Sequence, residues 1–205
     1  MSVVVDVQGG LQLEAQLAKP EAPKSGLVIC HPHPLYGGDM DNPVVVRVAE
    51  LAQGLGVATL RFNFRGVGAS GGVHGGGEGE RNDVAAALAM LAGLLPAESR
   101  IGLAGYSFGA WVAARVAAAA PNLPALALLA PPLGMYDLDF LERAPSHTLL
   151  VAGSRDQYCP VEMLEHLGRR LGSRAAIIDG AEHFFFGKLF PLGEAVERWI
   201  RAWAP

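Results

Sequence analysis

Beyond residue 25 this chain alternates short apolar runs with stretches of helical periodicity, and that alternation leaves few folds open. The runs are "GLVIC" from Gly26, "VATLRFNF" from Val57, "RIGLAGY" from Arg100, "ALALLA" from Ala125, "HTLLVAG" from His147 and "RAAIID" from Arg174. Helical spacing of apolar residues fills 44–55, about 80–95, 108–120, 161–171 and about 188–202. "GLVIC" is apolar without alternation, as a strand covered on both faces requires. Strands and helices in strict succession imply right-handed crossovers and a mostly parallel sheet with helices on both faces. The amino end differs. "SVVVDV" and "LQLEAQLA" alternate polar and apolar residues around Gly9-Gly10, the pattern of an antiparallel hairpin. The expectation is a single α/β domain over residues 1–205, with about eight strands, the second antiparallel.

Composition closes off several functional classes. Hydrophobic residues make up 51% of the chain and charged residues 18%, enough for a large core. The net charge is −4 with no basic run, so neither nucleic acid nor an anionic membrane is expected as a partner. The first twenty residues lack a positive cluster and carry Asp6 and Glu14, which argues against a signal peptide or a membrane span. A soluble cytoplasmic protein is expected, and the oligomeric state is left open. Cys30 and Cys159 form no C-x-x-C, so no zinc or redox motif is expected.

One polar residue interrupts the pattern at an informative corner. In "RIGLAGYSFGAW", Ser107 stands between an apolar run and a helical stretch, with Gly105 and Gly109 two residues to either side. With 26 Gly and 8 Ser in 205 residues, chance supplies about 0.13 matches to G-x-S-x-G, so the motif alone proves little. Its place at the carboxyl end of a parallel strand, where ligands bind in such sheets, is what makes it a candidate nucleophile. A tight strand-to-helix turn leaves no room for side chains two residues away. The following helix offers small Ala110, Ala113 and Ala114 for close packing, and its amino end turns free N–H groups toward the site.

A serine hydroxyl is a weak nucleophile near neutral pH and needs a base, itself oriented by a third group. The later strands supply both. "HTLLVAG" runs into "SRDQYCP", placing Asp156 past its end, and "RAAIID" runs into "GAEHFFFG", placing His183 likewise. Asp137 and Asp139, after the preceding strand, are the fallback acids.

The stretches "HPHPLYGGDMDN", "RFNFRGVGASGG", "GEGERND", "AGYSFGAW", "GSRDQYCP" and "GAEHFFFGK" together resemble the α/β-hydrolases, in particular a compact bacterial serine hydrolase group with an HPHP loop after the third strand. The resemblance runs from Cys30 to Lys188. It implies the α/β-hydrolase fold and a Ser107–Asp156–His183 triad, matching the assignment from the residues. The chain departs from the group at "GGVHGGG", where an aromatic and an acidic residue are usual. In the strand order of this fold Cys30 and Cys159 belong to strands three positions apart, about 14 Å, against the roughly 7 Å a disulfide spans, so both are expected as free thiols. Lids are inserted after the sixth strand, and here that connection is short, from Pro131 to about Ser146. It has room for one helical turn around Tyr136 to Leu141 and none for a cap domain.

Acyl transfer through a tetrahedral oxyanion needs two N–H donors. Phe108, after the serine, is one candidate. The HPHP loop supplies the other, and because Pro32 and Pro34 have no N–H the choice is Leu35, favoured, or His33. His31, His33, Asp39 and Asp41 also suggest a metal site, but the prolines suit a stiffened turn better and no third ligand cluster follows. No metal and no cofactor are expected. His31 and Arg65 are read as loop-fixing hydrogen-bonding residues, and His74, His147 and His166 as surface or strand-end residues. Tyr36, Phe108, Met135, Tyr136 and Phe184 are the expected apolar lining of a shallow cleft. The function expected is a serine hydrolase, a carboxylesterase forming an acyl-enzyme on Ser107 with a small-molecule, short-chain acyl ester. The alternatives are a thioesterase, peptidase or acyltransferase on the same residues, or a non-enzymatic binding protein on a hydrolase fold.

Overall fold

Glycine starts the fold. Gly9 and Gly10 both hold positive φ (91° and 82°) and turn β1 (Ser2–Val7) back on β2 (Leu11–Ala18). The computed structural model describes all residues from Met1 to Pro205. The elements that follow are β3 (Ser25–Cys30), α1 (Pro43–Gly54), β4 (Ala58–Phe62), α2 (Glu78–Gly93), β5 (Arg100–Tyr106), α3 (Phe108–Ala119), β6 (Ala125–Leu129), β7 (His147–Gly153), α4 (Val161–Leu171), β8 (Ala175–Ile178) and α5 (Leu189–Trp203). They form one sheet in the order β1-β2-β4-β3-β5-β6-β7-β8. β2 is antiparallel to both neighbours and every later pair is parallel. The expected α/β-hydrolase sheet of eight strands, second antiparallel, is the one found.

Two apolar layers enclose the sheet. Every residue of β3 and β6 is buried. Successive β3 side chains point to opposite faces. Val28 and Cys30 join the layer under α2, α3 and α4, while Leu27 and Ile29 join the layer under α1 and α5. Each buried Val, Leu or Ile contributes about 1.5–3 kcal/mol. In α3, Ala110, Ala113, Ala114 and Ala117 are all buried, so the small side chains let this helix lie close on the sheet.

The crevice follows from strand order. After β3 the chain leaves through α1 on one face to β4. After β5 it leaves through α3 on the other face to β6. β3 and β5 are adjacent, with Cys30 paired to Gly105, so two neighbouring strands send their chains apart at their carboxyl ends. A cleft must open between the departing loops.

The 131–146 connection holds no cap domain, and it also lacks the expected helical turn at Tyr136–Leu141. Asp139 N donates to Asp137 Oδ1 at 3.2 Å, a local turn that competes with helix formation. Arg170 of α4 pairs with Asp139 and donates to Leu138 O at 2.5 Å, and Leu138 and Leu141 are buried, which fixes the segment as turns. No helix is long and apolar enough to cross a membrane.

Candidate active site

Ser107 sits at φ 55°, ψ −120°, off the end of β5 and before the first turn of α3. Such a conformation costs a non-glycine residue about 1–3 kcal/mol. The glycines make it attainable. A Cβ on Gly105 would overlap the Gly109 carbonyl, and one on Gly109 would meet His31 O at 2.5 Å. Ser107 N donates to Leu129 O at 2.9 Å, tying the corner to β6.

The loops after β7 and β8 bring in the other two groups. Ser107 Oγ lies 2.9 Å from His183 Nε2, and His183 Nδ1 lies 2.9 and 3.0 Å from the two Asp156 oxygens. A carboxylate only accepts, so Nδ1 carries the proton and Nε2 is left to accept from the serine. Asp156 Oδ1 also accepts from Tyr158 N and Cys159 N, both at 2.9 Å, which holds the carboxylate in place. All three side chains are buried. Such a chain can take a proton from the serine and stabilise the imidazolium that results. Asp137 and Asp139 lie outside it, since Asp139 is spent on Arg170.

The HPHP loop distinguishes the two N–H groups it offers. Leu35 N–H already donates to His33 Nδ1 at 3.2 Å, because the His33 side chain caps the 3-10 turn Pro34–Tyr36, and the Leu35 side chain is 69% exposed. His33 lines the cleft, and neither its N–H nor that of Phe108 donates to any group of the chain. Of the candidate N–H groups, those of Phe108 and His33 are therefore without a partner in the chain, while that of Leu35 is engaged. His31 is wholly buried, with Nδ1 donating to Pro32 O at 2.6 Å and Nε2 accepting from Phe64 N at 2.9 Å. Arg65 grips Asp83 through Nε and Nη2, at 3.1 and 2.6 Å, and thereby fixes the neighbouring loop on α2.

The cleft around Ser107 encloses about 420 Å³. Tyr36, Met135, Tyr136, Phe108 and Phe184 all line it, as expected. Tyr136 stacks on Trp111 at 4.4 Å and separates the cleft from a second hollow against α3. Several contributors were not legible beforehand. Tyr106 donates from its hydroxyl to His183 O at 3.0 Å, and burial pushes its pKa up. The Tyr158 ring meets His183 edge-on at 4.8 Å. Phe185 is buried at φ 54° and bends the His183 loop, a positive angle that no motif announces. His74, expected at the surface, is tucked against His33 and Phe108 instead, while His166 is exposed.

Comparison with known proteins places the chain among relatives. The model of the X-Pro dipeptidyl-peptidase (S15) family matches residues 9–165. Protein RP471 of Rickettsia prowazekii, itself uncharacterized, is 33% identical over 201 residues, 92% of this chain and 84% of its own. The crystal structure of XC6422 from Xanthomonas campestris, an α/β serine hydrolase without a lid, superposes with a TM-score of 0.91 at 31% identity, covering 100% of this chain and 95% of that one. An α/β serine hydrolase homologue from Coxiella burnetii gives 0.88 at 35% identity, covering 97% and 96%.

Proposed function

This chain belongs to the X-Pro dipeptidyl-peptidase (S15) family within the α/β-hydrolases, and we propose that it is an esterase for short, uncharged acyl groups rather than a dipeptidyl-peptidase. An enzyme of the serine hydrolase kind is common ground for both. On this reading Ser107 attacks the ester carbonyl as its proton passes to His183. Asp156 holds the imidazole with its proton on Nδ1, leaving Nε2 to accept. The oxyanion takes hydrogen bonds from Phe108 N–H and His33 N–H. The imidazolium then protonates the departing alcohol, and water repeats the sequence to release the acid.

The observation that carries the choice is the charge of the cleft. None of its fifteen lining residues is Asp, Glu, Lys or Arg. A dipeptidyl-peptidase must seat the free ammonium of its substrate, and a desolvated ammonium without a carboxylate partner is strongly disfavoured. A neutral acyl group carries no such requirement. The Trp111–Tyr136 stack closes one side of the cleft and limits the length of chain it can bury.

The test compares p-nitrophenyl esters from acetate to palmitate with X-Pro p-nitroanilides. Each methylene buried is worth about 0.8 kcal/mol, or about fourfold in kcat/KM, so the ester series should rise to about C6 and then stop. Ser107 should be labelled by a fluorophosphonate, and Ser107→Ala should lower kcat by about 10⁴–10⁶. Faster cleavage of the anilides than of any ester would overturn the ester assignment. A rise continuing to C12, or a jump in rate on micelles, would overturn the size limit.

A further inference from the structure

The glycine-rich segment 71–77 forms no strand or helix before α2, yet its backbone is wound tightly. Gly72, Gly76 and Gly77 hold positive φ, and a Cβ at Gly77 would strike the Trp111 ring. Glu80, wholly buried in the first turn of α2, accepts from Gly75 N at 2.8 Å and Gly77 N at 2.7 Å. Its Oε1 also lies 2.9 Å from His74 Nδ1. Only 17% of the His74 side chain is exposed. Its ring centroid is 4.9 Å from that of His33 and 5.5 Å from that of Phe108, and the His33 and Phe108 rings are 4.7 Å apart. His74 thus touches the side chains of both residues whose backbone N–H groups are free beside Ser107. On the other side His33 has Tyr36, at 4.7 Å but 80% exposed and a weak restraint.

We propose that His74 is a positioning residue for the oxyanion hole: its ring, packed beside Glu80 in the tightly wound glycine loop, sets the spacing of His33 and Phe108. This rests on the reading of those two residues as the oxyanion donors. The anion forms only after attack on the carbonyl, so a brace on its donors acts on the transition state and leaves ground-state binding alone. Removing one donor outright costs about 10²–10³ in kcat, and letting one drift costs less, on the order of tenfold.

The experiment uses His74→Ala and His74→Gln. The glutamine keeps a polar side chain beside Glu80 but lacks the ring, and serves should the alanine variant fold poorly. Fluorophosphonate labelling of Ser107 in the wild-type enzyme comes first; its failure would sink the reading of the serine, and the inference with it, before any variant is compared. With labelling intact, steady-state hydrolysis of a p-nitrophenyl ester is set beside inhibition by a trifluoromethyl ketone, which accepts the serine oxygen and becomes an oxyanion adduct. Both variants should lose about tenfold in kcat, keep KM within about twofold, and bind the ketone weaker by the factor lost in kcat. A folded variant with wild-type kcat would overturn the inference. So would a change confined to KM, with ketone affinity unchanged.

Discussion

Lowering the pH should unsettle this protein through His31. The ring is wholly buried, donating to Pro32 O and accepting from Phe64 N–H. Protonation would turn the accepting nitrogen into a donor facing another donor. Burial, the largest influence, with a smaller one from His33, pulls the pKa from 6.5 to about 4, against the opposing pull of the Pro32 carbonyl and Glu80. The unfolded chain then takes up a proton near pH 6.5 that the native chain refuses until about pH 4. Stability from this group is complete above pH 6.5 and is lost as the pH falls toward 4. At 1.36 kcal/mol per unit the loss amounts to about 3 kcal/mol over the whole interval, and about 2–3 kcal/mol by pH 4.5. Urea unfolding of the wild type and His31→Gln between pH 7.5 and 4.5 isolates the effect, since the other titrating groups are common to both. The wild type should lose about 2–3 kcal/mol more than the variant across that range. Nitrogen NMR should show His31 neutral at pH 5, with the proton on Nδ1. Parallel stability curves, or a His31 titration near 6.5, would refute the reasoning.

Two further outcomes are expected. Asp156→Asn should lower kcat by about 10³–10⁴, because the amide can present its NH₂ to His183 Nδ1 and favour the wrong tautomer, while Asp139→Asn, which loosens only the Arg170 pair, should stay within about twofold; the reverse order in steady-state assays would place the acid after β6. Cys30 and Cys159 are free and buried, with thiol pKa values pushed up chiefly by burial, so Ellman's reagent should find no thiol in the native protein and two in urea, and a native thiol reacting within minutes would contradict the packing.

The sequence by itself determined the sheet, because the period of its apolar residues changes from strand to helix at nearly every boundary the structure has, and because "GLVIC" and "ALALLA" are too apolar to have an exposed face. It also pointed to Ser107, Asp156 and His183, since each lies just beyond a strand where a parallel sheet leaves its ligand-facing loops, and the glycines around Ser107 answer a steric demand local to that turn. Only the tertiary structure decided which HPHP-loop N–H remained free, because the competitor for Leu35 N–H is the His33 side chain two residues away, a contact that spacing permits but does not require. The turns of 131–146 depended on Arg170 reaching back from α4, across a sequence separation no local pattern reports. His74 had no legible partner at all. Its partners, the His33 and Phe108 rings, belong to the loop after β3 and the start of α3 after β5, and meet only because β3 lies beside β5 while the chain departs from them on opposite faces. Periodicity reports which face of an element is buried; the neighbour that covers it is fixed by strand order, and strand order is settled by the packing of the whole sheet.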